Sequence, residues 1–351
     1  MLLTDIIKRR LLPLLAVVAA VVTLTGCDGM IYDDEGDCDP RYKVRFVFDK
    51  NLSFADAFSN EVNSVTLYII DPESGRIVWG RRESGEKVKA DGYLMDVDIA
   101  PGTYNLIAWC GDGVGTHFGV PSASVHSDLT CTLVREHDAT GTATVSHNLN
   151  RLYHGRLDNA EFVEEEGTHV QTINLTKNTN DVNVVLQNLS GKLLDKNKFT
   201  FTVTDANGSM DWDNSIMPDE KVTYKAYDVV SGTAGLVVPD YNDDNPSLAP
   251  SRAITSINTC VASISTGRLM ADRRDKMLLT VYNDKGGVVA SVPLIDYALM
   301  VKGRYKDLED QDYLDRQDKY DVVFFLDERD DWIKTHIFIN SWKVVLQDAE
   351  L

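Results

Sequence analysis

From Tyr42 the chain alternates, and this alternation constrains its fold more than any other feature. Tyr42, Val44, Phe46 and Phe48 recur at every second position, with Lys43 and Arg45 between them and Asp49 beyond. Side chains two apart share one face of a strand, so the segment has one buried and one solvated face. The same period returns at Val65, Leu67 and Ile69, at Met95, Val97 and Ile99, and from Thr103 to Trp109. Further strands are predicted near Leu129–Val134, Thr142–Ser146, Val170–Leu175 and Val182–Gln187. Asp71-Pro-Glu-Ser-Gly75 is a turn leading into Arg76–Trp79, and Phe54 and Phe58, at i,i+4, mark a short helical turn. No long helical period interrupts the series, which predicts an all-β sandwich rather than an α/β sheet.

A second series follows Asn188-Leu-Ser-Gly191. Phe199, Phe201 and Val203 alternate with threonines, Asp205–Gly208 is a turn, and Val222–Ala226 is the next strand. Asp240–Pro250 is a polar loop, with strands expected at Ile254–Ile264, Met277–Tyr282 and Val288–Val292. Pro293 to Leu308 is the one stretch with a helical face, made of Leu294, Tyr297, Ala298 and Val301. Tyr320–Leu326 and Trp332–Leu346 close the chain as strands. The length exceeds one comfortable core, so two β-sandwich domains are expected, 41–188 and 189–351.

The N-terminus sets the location. Lys8, Arg9 and Arg10 precede an apolar run from Leu11 to Val22, shorter than the ~20 residues that span a bilayer, so residues 1–26 read as a secretion signal. Leu24-Thr25-Gly26-Cys27 resembles the lipoprotein signal-peptidase site, which implies cleavage before Cys27 and diacylglycerol and N-acyl lipid on that cysteine. No other cofactor is expected. Loss of residues 1–26 removes a net +2 and takes the chain from −19 to −21. Such a body is repelled by nucleic acid and anionic lipid, so lipid must hold it. Residues 27–40 are a solvated linker carrying Asp28, Asp33, Asp34, Glu35, Asp37 and Asp39. Acidic residues soon after a lipidated cysteine resemble the surface-export signal of Bacteroidetes lipoproteins, implying the outer face of the outer membrane.

Catalytic and metal chemistry find little support. Gly111-Asp-Gly-Val-Gly115 follows a strand, but no helix follows it to cradle phosphate, so it reads as a loop. Six of the seven histidines lie between His117 and His169, none paired at i,i+2 or i,i+4, which predicts surface or loop positions rather than a metal site. Ser84-Gly-Glu-Lys87 sits in a charged turn, no Gly-x-Ser-x-Gly elbow occurs, and 54 acidic residues make any carboxylate pair uninformative. No small-molecule substrate is evident. Besides Cys27, the cysteines are Cys38, Cys110, Cys131 and Cys260, without C-x-x-C spacing; Cys110 and Cys260 are expected as buried apolar residues.

Several segments carry a resemblance. Pro101-Gly-Thr-Tyr104 between two strands resembles a unit of transthyretin-like sandwiches. Lys43-Val-Arg-Phe46, Phe54-Ala-Asp-Ala-Phe58 with Glu61-Val62, and Leu152-Tyr-His-Gly155 come first in the chain. Thr176-Lys-Asn-Thr-Asn180 before Val184-Val-Leu186, Leu314-Asp-Arg-x-x-x-Tyr320 and Ile339-Asn-x-Trp-x-Val344 follow. In this order they are similar to the fimbrial anchor lipoproteins of Bacteroidales. The resemblance implies two transthyretin-like β-sandwich domains in tandem and a non-enzymatic anchor, accessory or tip subunit of a type V pilus, with pilins as partners. In shaft pilins of this kind, it further implies, an Arg-specific protease removes the first strand. Here no arginine lies between Arg45 and Arg76, so the strand of Tyr42, Val44, Phe46 and Phe48 is expected to stay in place. Near the C-terminus, Ile337 and Ile339, then Trp342, Val344 and Leu346, are apolar at alternate positions, with a parity shift between Ile339 and Trp342. One flat strand cannot bury both sets, so a bulge or a change of sheet is expected there, and the segment is a candidate for donation to a pilin. The alternative is a surface glycan-binding lipoprotein, which would display Trp and Tyr on one open face.

Overall fold

The computed structural model describes residues 40–237, 254–339 and 342–345. The signal segment, Cys27, Cys38, the acidic linker up to Asp39, the loop Asp240–Pro250, Leu346 and the tail beyond it lie outside the described residues.

In chain order the first strands are β1 (Arg41–Val47), β2 (Ser64–Ile70), β3 (Ile77–Ser84), β4 (Leu94–Val97) and β5 (Gly102–Cys110). Four short ones follow: β6 (Phe118–Gly119), β7 (Cys131–Leu133), β8 (Glu136–His137) and β9 (Ala143–Val145). Then come three long ones, β10 (Tyr153–Phe162), β11 (Thr168–Lys177) and β12 (Thr179–Asn188). Seven form one sheet in the order β3-β2-β5-β10-β11-β1-β4. It curls until its two edges approach, since Arg81 on β3 donates to the Asp96 carbonyl on β4 (3.4 Å). Inside lie Val44, Phe46, Leu67, Ile69, Leu106, Tyr153, Ile173 and Leu175.

The later strands are β13 (Phe199–Asp205), β14 (Ser209–Met210), β15 (Val222–Lys225), β16 (Asp228–Val237) and β17 (Ile254–Gly267). They continue with β18 (Leu278–Asn283), β19 (Val288–Pro293), β20 (Lys319–Leu326), β21 (Trp332–Ile339) and β22 (Trp342–Val345). Two six-stranded sheets, β16-β17-β12-β20-β21-β22 and β19-β18-β13-β15-β9-β8, share a second core. Val184, Leu186, Ile264, Val322 and Phe324 come from one sheet, Phe201, Val203, Tyr224 and Val281 from the other. The protein is therefore mostly β, as the alternation implies.

A boundary near 189 does not coincide with the sheets. β12 precedes it in sequence yet pairs with β17 and β20 at the middle of a second-half sheet. Likewise β9 pairs with β15, and β7 with β14. Only Asn178 separates β11 from β12, so one extended stretch serves both halves; alternation reveals a strand's buried face but not which strand it pairs with.

Other expectations need correction. The helix begins at Phe58 (Phe58–Glu61), while Phe54 has a positive φ of 53° and is 52% exposed. Asp56 explains the shift: its Oδ1 accepts from both Phe48 N (2.9 Å) and Phe58 N (3.0 Å), which fixes a turn before the helix. The stretch 293–308 is not one helix but Leu294–Met300 followed by a 3-10 turn, Gly303–Tyr305, with Gly303 at φ +56°. A further helix spans Asp310–Arg316, within a stretch that carries no helical period in the sequence. β21 and β22 pair as a hairpin rather than running as one strand, with Ile339 opposite Trp342.

Candidate assembly interface

The first strand is an interior strand. β1 pairs parallel with β11 from Arg41↔Thr168 to Val47↔Asn174, and antiparallel with β4 from Tyr42↔Val97 to Arg45↔Leu94. Tyr42, Val44, Phe46 and Phe48 are all buried. Tyr42 packs edge-on against Phe162 (5.1 Å between centroids) and donates its hydroxyl to the Val163 carbonyl (2.7 Å). Phe46 stacks on Phe58 and Tyr93, and Phe48 meets Tyr153 edge-on at 5.0 Å. Each such side chain contributes roughly 1.5–3 kcal/mol by burial. On the solvent face Lys43 pairs with Asp96 (2.5 Å).

The segments that carry the resemblance meet where the two halves join. Glu61 accepts from the Tyr153 hydroxyl (2.8 Å) and faces Arg151 (3.3 Å) and Lys177 (3.6 Å). Burial and the Glu61 charge push the Tyr153 phenol well above its ordinary range. Lys177, itself buried, pairs with Asp318 at 2.5 Å. Next to it Asn178 donates to Asn214 (2.6 Å), and Asn180 to the Gly267 carbonyl (3.2 Å). His154 donates from Nε2 to the Trp212 carbonyl (2.9 Å), and Arg156 lies over the Trp212 ring at 4.4 Å. At Gly155 a Cβ would come within 2.4 Å of Ile173, so only glycine fits beside β11 there.

The Leu314-Asp-Arg segment is the brace between the end of β1 and the second half. Asp315 is buried and accepts two bonds from Arg268 (2.8 Å each), one from Lys50 (2.7 Å) and one from Gln311 (2.9 Å). Burial alone would raise its pKa, but the hydrogen bonds and charge of Arg268 and Lys50 hold it below the usual carboxylate range. Its neighbour Arg316 donates to the Asp49 carbonyl (3.0 Å) and covers the Phe54 ring (4.5 Å). The sequence shows the motif but not this role, because Lys50, Arg268 and Asp315 are far apart in the chain.

At the other end, β21 adds to β20 with Val322↔Ile339 and Phe324↔Ile337, and β22 adds to β21 with Ile337↔Val344 and Ile339↔Trp342. The parity shift in the sequence is the reversal of the chain between two strands. Leu346 falls outside the described residues.

Cys110 and Cys260 are buried, as expected, and so is Cys131; all three are free thiols, and burial raises the pKa of each. His154 departs from the expected surface position at 4% exposure, and burial lowers its pKa to about 4. His117 and His147 lie 4.3 Å apart between ring centroids, but His117 Nδ1 accepts from Asn150 N (2.8 Å). Among the described residues no group of three or more His, Cys, Asp or Glu is placed to hold a metal. A cleft of about 340 Å³ beside Glu61 is lined by Asn60, Asn63, Asp112, Asn148 and Arg151, among others, and carries no aromatic residue.

One comparison with known proteins names a family. A family model described as fimbrillin-A associated anchor proteins Mfa1 and Mfa2 matches residues 34–348. A candidate adhesin from Bacteroides thetaiotaomicron is 29% identical, with a TM-score of 0.73 over 90% of this chain and 100% of that one. A candidate polysaccharide-binding protein from the same organism is 29% identical, with a TM-score of 0.71 over 88% and 99%. The fimbrial anchor protein Mfa2 from Porphyromonas gingivalis shares the fold at 16% identity, with a TM-score of 0.61 over 88% and 99%. No curated protein matches the chain. With almost all of its length matched, from the linker to the C-terminal hairpin, the chain belongs to the Mfa1- and Mfa2-type family of fimbrillin-A associated anchor proteins.

Proposed function

We propose that this protein is a non-enzymatic surface lipoprotein that anchors, and terminates, a type V fimbria at the outer membrane. Lipid on Cys27 holds it to the membrane, and no other cofactor is needed. Two transthyretin-like sandwiches form the body, and strand contacts with pilins hold the fibre. The C-terminal segment of Ile337, Ile339, Trp342, Val344 and Leu346 supplies one such contact. Membership of the anchor family supports a fimbrial or adhesin-like part at the cell surface, with fimbrial subunits as partners.

One observation carries the reading: β1 is paired on both sides and buries Tyr42, Val44 and Phe46, with Phe48 buried just beyond it. A subunit that keeps its first strand offers no groove there for a following subunit, which is what the terminal member of a fibre requires. Peptide mass spectrometry that maps the N-terminus of the protein from purified fimbriae tests this. A mature chain starting at Cys27 is expected; a start beyond residue 50 overturns it. Cys27→Ser should accumulate as an unprocessed precursor, and recovery of a processed, membrane-held form would overturn the lipid anchor. Glycan binding is the alternative, favoured by the description of one relative at 29% identity. It calls for an aromatic platform, yet the only aromatic residues among the exposed large apolar side chains described are Phe54, under Arg316, and Tyr227.

A further inference from the structure

Four sheets present eight edge strands among the described residues. β22 belongs to the C-terminal segment already assigned a pilin contact, and six others are protected against further pairing. β6, β8 and β14 have two residues each, and β4 has four. β19 ends in Pro293. β3 carries Arg81, Arg82 and Glu83, and its Ile77 N already donates to the Ser124 carbonyl (2.9 Å).

β16 has none of these protections. It runs ten residues, Asp-Val-Val-Ser-Gly-Thr-Ala-Gly-Leu-Val, with no proline and a single charge, Asp228, at its first position. Its inner side pairs with β17 throughout, from Asp228↔Ser263 to Val237↔Ile254. β12 stops at Asn188↔Asn258, so the last four β16–β17 pairs continue beyond β12. Val230 is 53% exposed, Ser231 and Gly232 are exposed, and a Cβ at Gly232 would meet nothing within 4 Å. A glycine with free space on an edge strand is where a second backbone approaches closely.

We propose that β16 is a docking edge for an extended, uncharged, alternately apolar segment of another fimbrial subunit, which adds a seventh strand to this sheet. The inference rests on the fimbrial reading above and places a contact at the edge opposite the C-terminal hairpin. The partner is another subunit rather than a second copy, because each copy carries a net −19 over its full sequence and copies repel at close range. The edge strand itself contributes almost no charge, so recognition falls to main-chain bonds and alternate side chains.

The test uses full-length protein in fimbriated cells with a photo-cross-linking benzoylphenylalanine at Val230, and at Val78 on β3 as the control. The expected product joins position 230, and not 78, to another fimbrial subunit, mapped by mass spectrometry to a stretch without charged residues. With the cross-linker moved to Gly232, Val230→Lys should cut that product about tenfold without changing the melting temperature, since lysine is the residue that guards sheet edges. An adduct only to a second copy, or none while the protein copurifies with fimbriae, overturns the docking edge alone. If the protein is missing from purified fimbriae, the anchor reading falls and this inference with it.

Discussion

The two ends of the described chain are held in opposite ways. β1 lies between β11 and β4, and its inward side chains are buried in the first core. The β21–β22 hairpin is joined to its sheet through β20 alone and forms the sheet's edge. Taking β1 out opens two ladders and empties a core, whereas taking the hairpin out opens one. The difference teaches that one end of the described chain is committed to its sheet and the other is held by a single ladder, although both segments are apolar and alternate.

The sharpest way to break this comparison is at Phe46. Phe46→Ala removes a ring stacked on Phe58 and Tyr93 and should cost about 4 kcal/mol, read as a large loss in chemical denaturation. Asp315→Asn leaves the Arg268 and Lys50 charges short of a partner and should cost about 3 kcal/mol. Cleavage by an added protease near residues 49–54 should rise in that variant, because the brace holds the end of β1.

A pH titration probes the junction. His154 has its pKa lowered to about 4 by burial, so the unfolded chain binds the proton first. Its contribution is complete above the unfolded value of about 6.5 and is lost as pH falls towards 4, a change of about 3 kcal/mol in denaturant melts. His154→Gln should flatten the curve in that window. The smallest effect on stability is expected at the C-terminus. Val344→Asp lies on an edge strand joined to the sheet by one ladder and should cost less than either Phe46→Ala or Asp315→Asn, yet release fibres into the medium. A large fall in melting temperature would instead tie the hairpin to its own sheet and erase the contrast.

Much of the architecture was legible in the alternation. β1, β2, β12 and β20 each bury alternate residues as written in the chain. β10 was not legible. Tyr153, His154 and Gly155 are buried in succession, and its register with β5 shifts between Leu157 and Ala160, so no period of two survives. β16 escaped because glycines and small residues carry little periodic signal. The helix Asp310–Arg316 was hidden for a related reason: its buried residues include Asp315, whose place in the interior depends on Arg268 and Lys50. The motifs at Glu61, Tyr153, Lys177 and Asp315 were visible as a family pattern, but their convergence on one junction is a property of the fold alone.

The parallel pairing of β1 with β11 also has a mechanical meaning. A pull applied at Arg41 is directed along β1, so the ladder from Arg41↔Thr168 to Val47↔Asn174 is loaded in shear and its bonds share the force. At the far end of the strand, Lys50 and Arg316 pass the load to the helix that precedes β20. Single molecules stretched between residue 41 and the C-terminus should therefore rupture at higher force than those pulled apart at residues 41 and 97, where β1 and β4 unzip bond by bond.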